Sequence, residues 1–250
     1  MFESDTAYDS FMGRYSTRLA APFADFAGIR HGMRVADVGA GTGALTLELV
    51  RRGATVAAAE PSAGFVASLR ERLPAVDVHD APAEKLPWQD ESFDAAVAQL
   101  VIAFMADAAA GVAEMRRIVR AGGTVAVCMW DGDGMEMLAA VRRTQQALSS
   151  GGPMPEGRVM YRTRESIESL FGDGFGDVTT DLLEIESSYT GFDEFWNALR
   201  GGIGPAGSWA EGLEGDAVDA ARAELRRQLG EPEGEFRLAA RAWATRAERV

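Results

Sequence analysis

The sequence has very little of the residue types that define several common classes of protein. Cys128 is the single cysteine among 250 residues, so the chain cannot form an intramolecular disulfide or a cysteine zinc site. We therefore expect no structural metal. Lys85 is the single lysine among 25 basic residues, which face 38 acidic residues and leave a formal charge of −13. Because nucleic-acid binding needs clustered basic side chains facing phosphates, this balance disfavours nucleic acid as a partner.

Long apolar runs are also missing. The longest strongly apolar run covers residues 100–106, whereas a membrane span needs about 18 apolar residues or more. The amino terminus lacks the basic region and apolar stretch of a secretory signal. We therefore expect a cytoplasmic protein with no membrane partner, and we predict one domain over residues 1–250 because 250 residues suit a single hydrophobic core.

Short apolar runs alternate with helical patterns from residue 33 onward. The predicted strands cover residues 35–38, 55–59, 76–79, 93–98 and 124–129, and the predicted helices cover residues 44–52, 62–72 and 107–120. Because parallel strands need crossover connections, this alternation predicts an α/β fold. The fold class is a doubly wound, Rossmann-like, mostly parallel sheet with helices on both faces.

The two flanking regions read differently from this centre. Residues 1–32 are predicted to form a helical lid, because apolar residues recur there at helical spacing. Residues 151–250 are predicted to form cap helices with closing strands that would complete a seven-stranded sheet. The predicted strands cover residues 178–189 and 236–245, the predicted helices cover residues 163–171 and 216–229, and residues 190–193 have the form of a capping box.

A glycine-rich motif follows the first predicted strand. It runs from Asp37 through Gly39, Gly41 and Gly43, and a tight turn with a ligand against its backbone needs residues that accept positive φ. Ligands of open parallel sheets bind outside the carboxyl ends of the strands. Glu60 ends the second strand, where a carboxylate can accept both hydroxyls of a ribose. The pattern predicts a cofactor that contains adenosine.

Two alternative interpretations of this motif are open. Gly39, Gly41 and Ala44 also satisfy G-x-G-x-x-A, so an NAD-dependent oxidoreductase is one alternative. Asp37 argues against it, since an acid beside the loop suits a cationic ammonium or sulfonium better than a pyrophosphate. A cofactor-binding protein without turnover, acting as a partner or a sensor, is a second alternative.

Four ordered stretches carry a resemblance to a known family. They cover residues 35–43, 59–62, 83–94 and 114–123. In these stretches the chain resembles the class I S-adenosylmethionine-dependent methyltransferases, particularly the methyltransferase type 11 group related to ubiquinone and menaquinone biosynthesis enzymes. The resemblance implies S-adenosylmethionine as cofactor, S-adenosylhomocysteine as product, and residues 33–150 as the cofactor-binding core. It also implies methyl transfer to a small-molecule acceptor at oxygen, nitrogen or carbon.

The resemblance implies a role for each matching position. For the methionine part of the cofactor, the implied contacts are Asp37 to the ammonium, Arg14 to the carboxylate, and Gly39, Ala40 and Gly41 along the chain. Gln99 and Leu100 would lie beneath the sulfonium. For the adenosine part, the implied contacts are Glu60 to the ribose, Pro61 on the adenine, and Ala83 and Glu84 at the adenine edge. The chain departs from the family at Pro82, where many relatives carry Asp or Ser facing the adenine amino group. Asp80 or a backbone carbonyl replaces that contact, or the contact is absent.

Candidates for the acceptor side are fewer. The resemblance implies that Tyr8 or Tyr15 would close over the methyl group, and Trp130, Asp131 and Trp196 are candidates for binding the acceptor. Methyl transfer from a sulfonium is an in-line displacement with a good leaving group, so we expect positioning to be the main catalytic effect. A general base is needed only for an acceptor that must lose a proton early, and Asp131 is the weak candidate for that role.

Overall fold

The computed structural model describes residues 9–149, 160–201 and 204–250. The strands are Arg34–Val38 (β1), Thr55–Glu60 (β2), Asp77–Asp80 (β3), Phe93–Gln99 (β4), Val119–Met135 (β5), Thr179–Tyr189 (β6) and Phe236–Glu248 (β7). The α-helices are Arg14–Phe26 (α1), Ala44–Arg51 (α2), Ala63–Arg72 (α3), Ala108–Ile118 (α4), Glu136–Leu148 (α5), Arg164–Glu168 (α6), Phe192–Leu199 (α7), Gly204–Glu211 (α8) and Asp216–Gln228 (α9).

The seven strands form one sheet in the order β3-β2-β1-β4-β5-β7-β6. The first five strands pair in parallel, and the order reverses between β1 and β4. Thr180 lies opposite Thr245 while Tyr189 stacks on Phe236, so β6 and β7 run antiparallel. The predicted doubly wound, mostly parallel sheet is confirmed. A ligand site is expected at the reversal, outside the carboxyl ends of β1 and β4.

The central strands are built from small apolar residues. Alanine fills many buried positions of β1, β2 and β4, among them Ala36, Ala58 and Ala96. Strands covered on both faces read as continuous apolar runs rather than as an alternation. This is why these strands were recognisable in the sequence.

The end of helix α4 was predicted wrongly. The helix ends at Ile118 rather than at residue 120, because Val119 already has an extended backbone with ψ 136° and begins β5. A Cβ at Gly123 would lie 2.6 Å from the carbonyl oxygen of Asp94. Gly123 therefore allows β5 to approach β4 closely, and it does not end the helix.

Further features differ from the prediction, because β5 extends beyond the predicted residues 124–129 at both ends and α6 is shorter than the predicted residues 163–171. Helix α5 was not predicted, although Met137, Ala140 and Val141 recur at helical spacing and are buried. The capping box predicted over residues 190–193 is wrong, because α7 begins at Phe192. That start brings Glu194 within reach of Thr190, whose backbone N–H and hydroxyl both donate to it.

The described chain divides into two compact units. The small unit comprises the described parts of residues 1–15, 132–159 and 184–241, and the large unit comprises those of residues 16–131, 160–183 and 242–250. The predicted division into lid, core and cap stays a prediction. Within the described ranges, no helix is long and apolar enough to cross a membrane.

Candidate active site

The loop between β1 and α2 is shaped by three glycines with positive φ. Gly39, Gly41 and Gly43 have φ values of 73°, 54° and 88°. The backbone N–H of Gly39 donates to the carbonyl of Ala59 at 2.7 Å, and a Cβ at Gly39 would lie 2.4 Å from the Val101 side chain. A Cβ at Gly41 would meet no atom within 4 Å. Gly39 is thus required for packing, whereas Gly41 leaves its backbone open to a ligand.

Asp37 is a buried carboxyl group at the start of this loop. Its Oδ2 accepts a hydrogen bond of 2.6 Å from the hydroxyl of Thr46, and its residue is 1% exposed. Burial raises the pKa of Asp37 from 3.8 to about 7, the Thr46 bond opposes that rise, and the charge of Glu60 adds to it. A cationic ligand group close to Asp37 would stabilise its carboxylate form.

Glu60 is a second buried carboxyl group, at the carboxyl end of β2. Its Oε2 accepts the backbone N–H of Gly41 and its Oε1 accepts that of Ser62, each at 2.9 Å. Burial raises the pKa of Glu60, and these two bonds act against the rise. A carboxylate offers about four lone-pair sites, so each oxygen retains capacity for one ligand hydroxyl.

Register places three positions level with one another at the sheet edge. Asp37 pairs with Ala58 on β2 and with Val97 on β4. Continuing that register by two residues brings Glu60, Gly39 and Gln99 into one row on a single face of the sheet, which we call the carboxyl-edge row. Neighbouring strands lie about 4.8 Å apart, so Glu60 and Gln99 are on the order of 10 Å apart across Gly39.

Gln99 and Leu100 have unusual local structure. The Nε2 of Gln99 donates to the carbonyl of Ser16 at 3.0 Å, and its Oε1 is buried without a hydrogen-bond partner in the described chain. Leu100 has a φ of 63°, which is uncommon for a residue other than glycine, and its N–H donates to the carbonyl of Cys128.

These residues fit S-adenosylmethionine. Glu60 offers a fixed carboxylate for a vicinal diol, and Gly41 offers an unobstructed backbone. Asp37 offers a buried carboxyl group whose charged form a cationic ligand group would stabilise. The cofactor has all three complementary features, namely a ribose diol, an extended methionine chain and cationic ammonium and sulfonium groups.

Among the predicted adenine contacts, Glu84 has a hydrogen-bond partner within the large unit. Pro61 is exposed and Ala83 is buried. The carboxylate of Glu84 accepts the backbone N–H of Asp107 at 2.9 Å, which links it to the start of α4. The carbonyl of Pro82 accepts the N–H of Lys85 in a turn. Adenine binding by these residues stays a prediction.

Arg14, Tyr15 and Trp196 belong to the small unit. Arg14 donates to the carboxylate of Glu194 at 2.5 Å, and its guanidinium lies 4.2 Å from the ring centroid of Tyr189. The Tyr15 hydroxyl is 3.1 Å from that of Tyr189, and burial raises the pKa of Tyr15. Trp196 is buried. The roles predicted for Arg14, Tyr15 and Trp196 stay predictions.

Two other candidates on the acceptor side, Trp130 and Asp131, lie within β5. Trp130 is buried and Asp131 is half-buried, whereas Tyr8 lies outside the described residues. Burial raises the pKa of the Cys128 thiol, so that group is not poised as a nucleophile. In the part of the chain that the structure describes, no group of three or more His, Cys, Asp or Glu residues is placed to hold a metal ion.

Sequence reasoning missed several residues that shape the site. Thr46 lies in the first turn of the helix after the glycine loop and Ser62 directly follows Glu60-Pro61, so local spacing held a signal for both. Ser16 and Val101 contact Gln99 and Gly39 only through the tertiary fold. The local sequence pattern does not predict those two contacts.

Sequence comparison identifies the class of protein. Residues 36–127 match the family model described as a methyltransferase domain. An uncharacterized protein of Mycobacterium tuberculosis is 31% identical over 215 residues, which cover 82% of this chain and 76% of that protein. A demethylmenaquinone methyltransferase of a Mycobacterium species is 41% identical over 102 residues, which cover 40% of this chain and 43% of that protein.

Solved structures with low sequence identity share the fold of this chain. The YcgJ protein of Bacillus subtilis has a TM-score of 0.57 at 14% identity, with 94% of this chain and 99% of that chain covered. The [4+2]-cyclase SpnF has a TM-score of 0.52 at 20% identity, with 94% and 82% covered. The chain belongs to the class I S-adenosylmethionine-dependent methyltransferase family, and it is an S-adenosylmethionine-dependent methyltransferase.

Proposed function

We propose that the enzyme transfers a methyl group from S-adenosylmethionine to a neutral or cationic small molecule at oxygen, nitrogen or carbon. The observation that carries the proposal is the buried Glu60 carboxylate, fixed by two backbone N–H groups beside the open Gly41. When bound, the cofactor supplies a methyl group activated on a sulfonium. The family match favours this cofactor over a nicotinamide dinucleotide.

The chain's own contribution is mainly binding and orientation. The N–H groups of Gly41 and Ser62 fix the Glu60 carboxylate before any ligand arrives. Asp37 supplies a negative charge in a buried setting, where charge interactions are stronger than in water. Contacts that orient the reacting groups and exclude water lower the barrier to in-line displacement.

The acceptor class follows from charge and from aromatic residues. Residues 151–250 carry −8 of the formal −13, which disfavours an anionic polymer. Tyr8, Tyr15, Trp130 and Trp196 are the proposed acceptor-binding residues and suit a small, partly apolar molecule. We also infer a cytoplasmic location from the composition.

A general base is not required by this proposal. The raised pKa of Tyr15 and that of Cys128 keep both groups neutral near pH 7, so neither is an effective base. Asp131 is half-buried on β5 and is our candidate base for acceptors that must lose a proton. For amines that are already neutral, positioning alone suffices.

Incubation with methyl-labelled S-adenosylmethionine and a panel of phenols, amines and enolisable acids tests turnover. We expect label to appear in at least one neutral or cationic acceptor. A protein that binds the cofactor yet labels no acceptor and does not hydrolyse the cofactor would be a partner or sensor instead.

Substituting two acidic residues that lie at opposite ends of the parallel strands tests the contact with the cofactor. Glu60→Ala should weaken S-adenosylhomocysteine binding by about 1.5–3 kcal/mol, the usual contribution of a hydrogen bond to a charged group. Isothermal titration measures the loss. An unchanged affinity would mean that the ribose is held elsewhere.

Asp94→Ala is the matched control for that experiment. Asp94 also accepts a backbone N–H, that of Arg34 at 2.7 Å, but it lies at the amino end of β4. Its removal should lower the free energy of unfolding and leave the affinity for S-adenosylhomocysteine unchanged. Equal losses of affinity in both variants would indicate a general effect on folding.

A further inference from the structure

Thr46 and Thr144 are both buried in helices, but their hydroxyl groups bond differently. A helical threonine can donate to the carbonyl four residues earlier, and Thr144 does so to Ala140 at 2.9 Å. Thr46 instead donates to Oδ2 of Asp37 at 2.6 Å, while the carbonyl of Thr42, four residues earlier, accepts from a guanidinium. The Thr46 hydroxyl therefore bonds a carboxyl group of the site and not its own helix.

This bond favours the charged form of Asp37. A length of 2.6 Å lies in the range of a hydroxyl that donates to a carboxylate. A neutral carboxyl group accepts such a bond less strongly, so removal of the hydroxyl would favour the protonated form. The usual contribution of a hydrogen bond to a charged group corresponds to at least about tenfold in that equilibrium, or about one pH unit.

The neighbours of Asp37 act on its charge in opposite directions. Glu60 on β2 is negatively charged and raises the pKa of Asp37. Cys128 on β5 is coupled to Asp37, but burial raises the pKa of its thiol and keeps it neutral. Val97, which pairs with Asp37 on β4, carries no charge. From α2, the bonds of Thr46 lower the pKa of Asp37, so Thr46 counteracts both burial and Glu60.

We infer that Thr46 is a positioning residue that keeps Asp37 able to ionise near neutral pH, and that it thereby sets the pH range in which the enzyme binds its cationic cofactor. This inference rests on the proposed function. A positive ligand charge favours a nearby carboxylate, and in a buried setting this interaction acts without direct contact. Cofactor binding therefore releases a proton from Asp37, and the affinity rises with pH through the neutral range.

Isothermal titration with S-adenosylmethionine between pH 6 and pH 8.5, in two buffers of different ionisation enthalpy, measures the affinity and the protons released. Because the pKa of Asp37 is about 7, wild-type protein should release about half a proton at pH 7. Thr46→Val keeps the branched shape and removes the donor. It should release about one proton at pH 7 and bind about fivefold more weakly there, with nearly wild-type affinity at pH 8.5.

Three further variants are the controls. Thr46→Ser retains the hydroxyl and should keep the wild-type profile, whereas Asp37→Asn should release almost no proton. Thr144→Val is the matched control, because it removes a buried hydroxyl that bonds within its own helix, and it should leave both quantities at wild-type values. Thermal unfolding checks that each variant is folded, and Thr46→Ala replaces the valine variant if that one does not fold.

A wild-type affinity that does not change with pH would overturn the inference. A wild-type profile in Thr46→Val, or equal shifts in Thr46→Val and Thr144→Val, would overturn it as well. Each of these results leaves the proposed function intact, because S-adenosylmethionine still binds. Wild-type protein that binds no S-adenosylmethionine at any pH would overturn both.

Discussion

Two buried carboxyl groups on neighbouring strands dominate the site at the scale of the residue. Asp37 is 1% exposed and Glu60 is 6% exposed, and the charge of Glu60 raises the pKa of Asp37. Burying two acidic groups close together destabilises the fold unless a proton or a cation compensates. Such an arrangement lowers the stability of the fold and is useful for binding a cationic molecule.

The pH dependence of stability follows from Asp37. Its pKa is 3.8 as a free group and about 7 in the folded protein, so the folded state binds the proton more tightly than the unfolded state. The contribution of Asp37 to stability is thus complete below pH 3.8 and is lost as the pH rises through about 7. At about 1.4 kcal/mol per pH unit, the loss is on the order of 4 kcal/mol.

Asp37→Asn should flatten this profile, because an amide has no proton to lose and still accepts the Thr46 hydroxyl. Urea unfolding without cofactor, measured between pH 4 and pH 8, checks it. We expect the variant to be more stable than wild-type protein at pH 8 and similar at pH 4. Parallel profiles for the two proteins would show that Asp37 does not titrate in this range.

The important residues differ in how far the sequence could predict them. Asp37 and Glu60 were predictable because they flank a glycine motif at fixed distances from strand ends. The partner of Gln99 was not, because Ser16 is 83 positions away in the chain. Residue patterns identify chemical groups, whereas the state of each group depends on the tertiary neighbours that surround it.

At the scale of the element, two glycines of the loop between β1 and α2 have different roles, one in packing and one in ligand binding. A Cβ at Gly39 would overlap the Val101 side chain, whereas a Cβ at Gly41 would meet no atom within 4 Å. Both residues have positive φ, which costs about 1–2 kcal/mol for a residue with a Cβ. A substitution at either position would thus carry the same backbone cost, but only a side chain at Gly39 would also overlap a neighbour.

Alanine substitutions should distinguish these two roles. Gly39→Ala should lower the free energy of unfolding by about 2–5 kcal/mol, since overlap adds about 1–3 kcal/mol to the backbone cost. Gly41→Ala should lower it by only about 1–2 kcal/mol but weaken S-adenosylhomocysteine binding at least about tenfold. Chemical unfolding and isothermal titration measure the two effects. Full affinity in Gly41→Ala would mean that the ligand does not pass this loop.

An ion pair connects the start of α1 with α7 inside the small unit. Arg14 and Glu194 are 2.5 Å apart with side chains 21% and 34% exposed, and the Arg14 guanidinium also lies over the Tyr189 ring. Burial acts to raise the pKa of Glu194, but bonds from Arg14 and Thr190 outweigh it and lower that pKa. The pair therefore stabilises the charged form of Glu194.

A double-mutant cycle with Arg14→Met and Glu194→Gln should give a coupling energy of about 1 kcal/mol, reduced in high salt. The surface pair Arg164–Glu168 within α6 is the control, and its coupling should be smaller because solvent screens both side chains. Urea unfolding of the four proteins in each cycle provides the energies. Equal coupling in both pairs would contradict a special role for Arg14 in the small unit.

Elements whose signals are local were predicted well. The buried strands β1, β2 and β4 were found from their apolar runs, and their observed ends differ from the predicted ends by one residue at most. The end of α4 was not predicted correctly, because Gly123 allows β5 to lie close to β4 and does not end a helix. A glycine in the sequence does not reveal which of those two roles it has.

At the scale of the whole molecule, the motif residues and the acidic surplus separate along the chain. The glycine loop, Glu60 and Gln99 all belong to the large unit, whereas Arg14, Tyr15 and Trp196 belong to the small unit. Residues 151–250 carry most of the negative charge and include much of the small unit.

Isothermal titration of the wild-type protein with S-adenosylmethionine and with NAD decides which cofactor the protein binds. We expect saturable one-to-one binding of S-adenosylmethionine that Glu60→Ala weakens and Asp94→Ala does not, with no heat from NAD. Binding of NAD without binding of S-adenosylmethionine would contradict it.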